Sequence, residues 1–406
     1  MQQNKSLLKA SPLFLVIAID SMGLGILFPI LSSMIIDSSS QFLPHATTIF
    51  TREFLYGAII GIYMICWFFG AAMLGDLSDI IGRKKSLLIC LVGACIGYAI
   101  SGVAIYFHSI IFLIVGRIIA GFTAGSQPIA QAAIVDISTE KNKARNIGFI
   151  LLAVSLGFVF GPMAGGILSD PRIVSWFNFA TPMYFAAIFS FLNALLLKFT
   201  FEETFEVTRK VRIRVYYAVQ IFVEAFKHPR IRWLSLILLI FISGWGEYFG
   251  FMSQYLLRTY NYSTLEVSMF MVVLGVGFSI GFGFLVDIFA NRMKLKTAVI
   301  GNLIVASLLS LLTVLIPVPL FAWIASVFVG MTVAVAYSIL ITMFSNQVSD
   351  SEQGWVMGVT NAVMALSFGI TTFFSGFAAN FSAGLPIFWA FLGMLISAVI
   401  LCFVKI

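Results

Sequence analysis

The chain is short of charge. Asp, Glu, Lys and Arg make up 10% of its 406 residues, against 60% hydrophobic, and the mean hydropathy is +1.04. A water-soluble domain needs far more charge on its surface, so that class is excluded. Histidine and cysteine are scarce too, at three and four residues. His45, His108 and His228 fall in loops or at expected helix ends, and Cys66, Cys90, Cys95 and Cys402 fall in apolar runs. None has metal-ligand spacing, so neither a metal centre nor a disulfide framework is expected. There is no Walker-type phosphate loop, and ATP is not expected to power this protein. No cofactor and no enzymatic chemistry are expected. The first apolar run is too long and too broken by Gly and Pro for a cleaved signal, and no A-x-A-like site follows it.

What is present is a series of runs of about twenty apolar residues, each long enough to cross a bilayer. There are twelve, near 12–36, 55–74, 86–107, 110–136, 146–168, 181–199, 233–256, 265–287, 297–316, 320–344, 354–378 and 385–404. The expected fold class is an all-α polytopic membrane protein. Six helices lie in 1–200 and six in 233–406, with a polar linker at 201–232. The net charge of +7 invites a nucleic-acid reading, but its distribution argues otherwise. With both termini cytoplasmic, 20 of the 24 Lys and Arg fall on the cytoplasmic side, eight of them between Lys198 and Arg232. Arg52, Arg172 and Arg258 fall outside, and Arg117 lies within a span. That is the positive-inside bias of a multi-pass protein of a cell membrane, in a bacterium the inner one. Val215, Val219, Phe222, Val223 and Phe226 suggest an amphipathic helix along the membrane face of the linker; the alternative is a solvated connector. The outer connections are short except 37–54, so a receptor role has no extracellular domain to act with.

The segment Gly75 to Lys85, GDLSDIIGRKK, packs two acids and three consecutive bases between two spans, and a worn copy, GFGFLVDIFANR, recurs 206 residues later at Gly281 to Arg292. A charged hinge repeated once per half is the layout of a duplicated bundle whose halves rock against each other. Gly75 and Gly82 permit the sharp turn. Arg83, Lys84 and Lys85 hold it in the cytoplasm. Asp79 is placed to accept hydrogen bonds from the N-terminus of the eleventh helix, near Gly354. Arg83 and Asp136 would complete an acid–base–acid gating cluster. The alternative is a topology anchor without a gating role. The second copy has Asn291 where the first has its second glycine, so the conformational lock is assigned to the first half.

Gly157, Gly161 and Gly165, with Gly166, line one helix face at intervals of four and admit a neighbouring helix closely. Pro162 is expected to kink that span. Three ionisable residues stand inside expected spans: Asp20, Arg117 and Glu247. Each costs about 2.5–3.5 kcal/mol to insert if unpaired, which makes each a functional candidate. Asp20 lies about 12 Å from the cytoplasmic edge, at 1.5 Å per residue. Arg117 is within reach as its partner, and opposing effects of burial and charge would poise Asp20 to load and release a proton. Glu247, set among glycines and aromatics, suits a cationic or polar amphiphilic ligand, with an interhelical hydrogen bond as the alternative. Gln127, Gln131, Tyr337, Ser338 and Asn361 sit at similar depth and are candidate cavity residues, or packing hydrogen bonds.

Four local patterns in order carry a family resemblance. They are GDLSDIIGRKK; Arg117-Ile-Ile-Ala-Gly121 with Gly125; Gly157-Phe-Val-Phe-Gly161-Pro162-Met-Ala-Gly165-Gly166; and Asp20-Ser-Met-Gly23-Leu-Gly25-Ile-Leu-Phe-Pro29. Together they resemble the major facilitator superfamily over nearly the whole chain, and within it the twelve-span drug:proton antiporters of the tetracycline-efflux and multidrug type. The resemblance implies two pseudo-symmetric six-helix bundles, a single polypeptide as the working unit, and small-molecule export in exchange for protons. In that reading Asp20 and Arg117 couple protons and the glycine face of the fifth span is the antiporter motif. The alternatives are a carrier of an anionic metabolite or siderophore and, in another class, a non-transporting membrane sensor.

Overall fold

The computed structural model describes residues 2–138, 143–204, 216–349 and 352–404. Among these, twelve helices are long and apolar enough to cross a membrane. The first six spans are Ser11–Ile36, Ile49–Ile81, Arg83–Tyr106, Ile110–Asp136, Phe149–Ser169 and Thr181–Thr200. The last six are Arg232–Tyr260, Thr264–Arg292, Leu295–Leu315, Pro319–Ser345, Gln353–Ala379 and Leu385–Phe403. Helices are what an apolar run must form in lipid, because each backbone polar group then finds its partner within its own segment. Large apolar side chains such as Ile111, Phe112, Phe199, Phe374 and Phe403 are exposed on the outside of the bundle, as a lipid-facing surface requires. An even number of crossings puts both ends of the chain and the linker at one end of the bundle, here the linker end.

Several spans run past the apolar windows that mark them in sequence. The second starts at Ile49, so Arg52 and Glu53 are helical and buried rather than part of an outer loop. Arg52 donates to the carbonyls of Ile35 (2.9 Å) and Pro44 (3.2 Å) and so pins the long connection between the first two spans. The linker contains a helix, Tyr216–Lys227. Val215 and the rest of 205–215 lie outside the described residues.

Glycine decides where helices touch. A Cβ on Gly157, Gly161 or Gly165 would stand 2.6–2.8 Å from the carbonyl oxygens of Ala18, Met22 and Ile26, so this face seats the fifth span directly on the first. Gly166 turns the other way, toward Leu265 and Ser268 of the eighth span, across the boundary between the halves. The helix continues unbroken through Pro162. The second and eleventh spans interlock similarly: Gly57 faces the Thr372 carbonyl, Gly61 that of Gly369, and Gly376 that of Glu53. These contacts lie toward the end away from the linker. Toward the linker end the same two spans part, and Gly75, Gly354 and Gly358 face open space.

The fourth span is in two pieces, Ile110–Thr123 and Ser126–Asp136. At the break Gly125 lies against the backbone of Gly70 and Ala71 in the second span, too close for any side chain. The two charged hinges also differ. Gly82 takes φ +95°, which sharply ends the second span. In the worn copy the helix opens into a π-turn at Gly281–Leu285 and then runs on through Asn291 to Arg292, since no glycine is there to turn it.

Candidate functional site

Where the second and eleventh spans part, a cleft opens between the halves. Trp67, Phe68, Ala71 and Ala72 form one wall, Gln127, Pro128 and Gln131 a second, and Gly358, Asn361, Ala362 and Ala365 the third. Ala218 and Ile221 of the linker helix close its floor. Three of the polar residues expected from sequence, Gln127, Gln131 and Asn361, are therefore brought together, from opposite halves. The lining is otherwise apolar and aromatic, the usual character of a small-molecule cavity.

Tyr337 and Ser338 do not line this cleft. The Tyr337 hydroxyl points at the Met364 sulfur (3.5 Å), a contact within the second half. The tenth span turns that face toward the eleventh, and depth alone could not distinguish the two directions.

Asp20 is buried at 8% exposure, and its carboxylate accepts a hydrogen bond from Ser126 (2.5 Å). Ser126 opens the second piece of the fourth span and is next in sequence to Gln127 on the cleft wall. Arg117 is not its partner, and here the sequence expectation is corrected. The Arg117 guanidinium donates to the Ser101 hydroxyl (2.9 Å) and lies over the rings of Tyr98 (5.3 Å) and Tyr63 (5.9 Å). Arg117 precedes the break and Asp20 meets the residue just after it, so the two charges are held at different levels of one broken helix. Tyr63 and Tyr98 are close enough to interact electrostatically with both. Gly23, one turn past Asp20, leaves the space that the Tyr98 hydroxyl fills. One guanidinium nitrogen, Nη1, is buried with no hydrogen-bond partner among the described residues.

Glu247 is buried at 1% exposure inside the second half, where Ser375 of the eleventh span donates to its Oε1. Its Oε2 has no partner among the described residues. It is absent from the cleft wall, so in this arrangement it is not placed to meet a cationic ligand there. The neighbouring Trp245 and Phe249 instead join Phe28, Phe158, Phe278 and Phe368 in a ring cluster spanning both halves, with centroids 4.9–6.4 Å apart.

At the linker end Arg83 pairs with Asp79 (2.8 Å) and Asp136 (3.4 Å), bringing the acid–base–acid cluster together within the first half. Glu203, just after the sixth span, accepts from the backbone amides of Arg83 (2.9 Å) and Lys84 (3.1 Å) and fills the space where a side chain at Gly82 would stand. In the second copy Asp287 and Arg292 are exposed and make no ion pair among the described residues.

Sequence reasoning missed Ser126, Glu203, Trp67 and, most consequentially, Glu53. Its carboxylate is fully buried and takes Arg258 of the seventh span at 2.6 Å, with Gln254 also donating to it. Arg258 further donates to the Ala379 carbonyl (2.9 Å), and one turn along from Glu53 the Tyr56 hydroxyl donates to the Gly250 carbonyl (2.6 Å). These bonds tie the halves together at the end away from the linker. The signal available was the spacing of Glu53 and Tyr56, three apart and thus on one helix face.

A cleft between paired bundles, a charged hinge beneath it and a buried carboxylate beside it are the parts of a carrier. A model of the family described as Major Facilitator Superfamily matches residues 13–372. The chain belongs to the major facilitator superfamily. It is a transporter by family and not an enzyme. Within the superfamily it is 26% identical over 357 residues to the class C tetracycline resistance protein of Escherichia coli, covering 86% of this chain and 84% of that one. It is 28% identical over 278 residues to the class H protein of Pasteurella multocida, covering 67% and 64%. Among solved structures, the fold is like that of the human organic anion transporter MFSD10 (TETRAN), with a TM-score of 0.73 at 19% identity over 98% of this chain and 99% of that one. It is equally like the xylose transporter XylE of E. coli in a partially occluded inward open conformation, with a TM-score of 0.74 at 14% identity over 98% and 97%.

Proposed function

We propose that this superfamily member exports a small amphiphilic compound, of the size and character of a tetracycline, in exchange for protons moving inward. With the linker end in the cytoplasm, the cleft is the cytoplasmic mouth of the pathway and the bonded end is the closed outer side, so the arrangement is an inward-facing state of an alternating-access cycle. The observation that carries the reading is the Asp20–Ser126 bond. It sets a buried carboxylate on the residue that adjoins Gln127, at a break in the fourth span. A ligand seated against that wall holds Ser126 on Asp20, and a carboxylate that keeps its hydroxyl donor favours staying ionised. Ligand binding and proton binding are thereby opposed at one point, which is what exchange requires. The driving force suffices: about 2.3 kcal/mol per charge per 100 mV sustains roughly a fifty-fold gradient for one net charge.

The test is ligand-driven proton movement in proteoliposomes. With the protein and a tetracycline gradient, protons should move opposite to the ligand, and Asp20→Asn should retain downhill ligand flux while losing the proton signal. Wild-type proton movement in Asp20→Asn would end the assignment.

A second reading has its own observation. Among the described residues, Arg117 is buried without a carboxylate partner and with one nitrogen unsatisfied, so the first half holds a positive charge able to receive an anionic group. On that reading the cargo is an organic anion. Paired neutral and anionic analogues, compared in wild type and Arg117→Gln, separate the two: an anion carrier loses the anionic analogue selectively.

A further inference from the structure

The buried bond between Glu53 and Arg258 is not needed to hold a ligand and lies at the far end of the bundle from the cleft. It nonetheless joins an acid of the first half to a base of the second, with Glu53 at 0% exposure. Among the described residues, the groups that bond to the pair are neutral or backbone. The eleventh span offers the Ala379 carbonyl and the Gly376 backbone. The seventh offers Gln254 beside Arg258. On the second span itself the nearest ionisable groups are Tyr56, whose hydroxyl is engaged with Gly250, and Arg52, whose guanidinium faces the loop carbonyls. Among the described residues Glu53 pairs with one cation, and that cation belongs to the other half. Parting of the halves at this end takes Arg258 away and leaves a carboxylate in a pocket built for a pair, which is costly unless the carboxylate becomes neutral.

We propose that Glu53 is a one-sided proton sensor for the outer gate, a positioning residue that makes opening to the outside depend on outside pH. The proposal rests on the alternating-access reading. In the step, a proton from the outer solution is taken by the Glu53 carboxylate and the Arg258 N–H to Oε1 bond breaks; Arg258 keeps its bond to the Ala379 carbonyl and its charge meets incoming water. When the halves close again, Arg258 returns and the proton goes back to the same outer solution. No proton crosses the membrane on Glu53. It thus sets how often the carrier faces out, and leaves the number of protons moved per ligand to other residues.

The experiment reads the gate directly and needs no ligand. Spin labels are placed at Ile49→Cys, near the start of the second span, and at Phe381→Cys, just past the eleventh; both positions are exposed. Their separation is measured from mildly alkaline to acidic pH in a background with the four native cysteines replaced. The wild type should shift from a short to a long distance as pH falls. Glu53→Gln should show the long distance throughout, with no pH response. Exchanging the charges, Glu53→Arg with Arg258→Glu, should restore the short distance at high pH, which a variant that merely unfolds would not do. Asp20→Asn should keep the wild-type response, so failure of the proton-exchange reading leaves this result standing. A wild-type distance that ignores pH, or a Glu53→Gln protein that keeps the wild-type response, overturns the proposal.

Discussion

Ser126 donates to Asp20 across 2.5 Å, and Ser126 is where the fourth span begins again after its break. The carboxylate of one helix is thus held by the loosest point of another. A serine hydroxyl can rotate to donate or accept, so it serves both protonation states. The bond joins two spans of one half, so it can respond to the cleft without the halves first separating.

Replacing Ser126 with Ala leaves Asp20 buried without this donor. Loss of one such bond to a buried charged group is worth about 1.5–3 kcal/mol. Coupled transport should fall roughly 10- to 100-fold at neutral pH, with Ser126→Thr retaining most of it. Initial rates of gradient-driven uptake into inverted vesicles check this, and equal rates in all three proteins would remove the bond from the mechanism.

Gly82→Ala should damage the hinge whatever the membrane does. Its φ of +95° with ψ 159° is a conformation that only glycine adopts readily, with a strain of about 1–3 kcal/mol for a side chain. Glu203 also occupies the space needed. The expected outcome is a lowered unfolding temperature, only partly recovered in the double variant with Glu203→Gly. Full recovery would mean the clash matters and the backbone conformation does not.

Gly161→Val drives a branched side chain into the Met22 carbonyl, 2.6 Å from where its Cβ must stand. Overpacking of this kind costs about 1–3 kcal/mol. The first and fifth spans should separate, lowering thermal stability and carrying Asp20 off Ser126. Gly301→Val, at a glycine with open space around it, is the control expected to change neither.

Phe222→Ala on the linker helix removes a ring that stacks edge-on to Phe68 in the cleft (6.3 Å). The linker helix should then release more readily, and cysteines across the linker-side ends of the second and eleventh spans should crosslink faster. Unchanged crosslinking would make that helix a passive connector.

The twelve spans were legible because an apolar run of about twenty residues has few other fates. The cleft was half legible: Gln127 and Gln131 are four apart on one face, and the Asn361 face points the same way. What failed was direction and reach. Tyr337 sits at the right depth on the wrong side of its helix. Glu53 reads as loop because Thr51, Arg52 and Glu53 are polar letters in a row, and its burial depends on Arg258, 205 residues away. The Asp20–Arg117 pairing failed because a break after Thr123 changes the rotation between them, and the only trace of that break in sequence is a glycine followed by Ser126 and, two residues on, a proline.

The linker helix has a pharmacological consequence. Phe222 and Ala218 form a small apolar cluster with Phe68 of one half and Ala365 of the other, so the helix occupies the space into which the two bundles would swing. A compound that glued Phe222 to that seat would not compete with cargo for Gln127 or Asn361. It would slow turnover at every cargo concentration by holding the linker helix on its seat, a block acting through the floor of the cleft rather than through its polar walls.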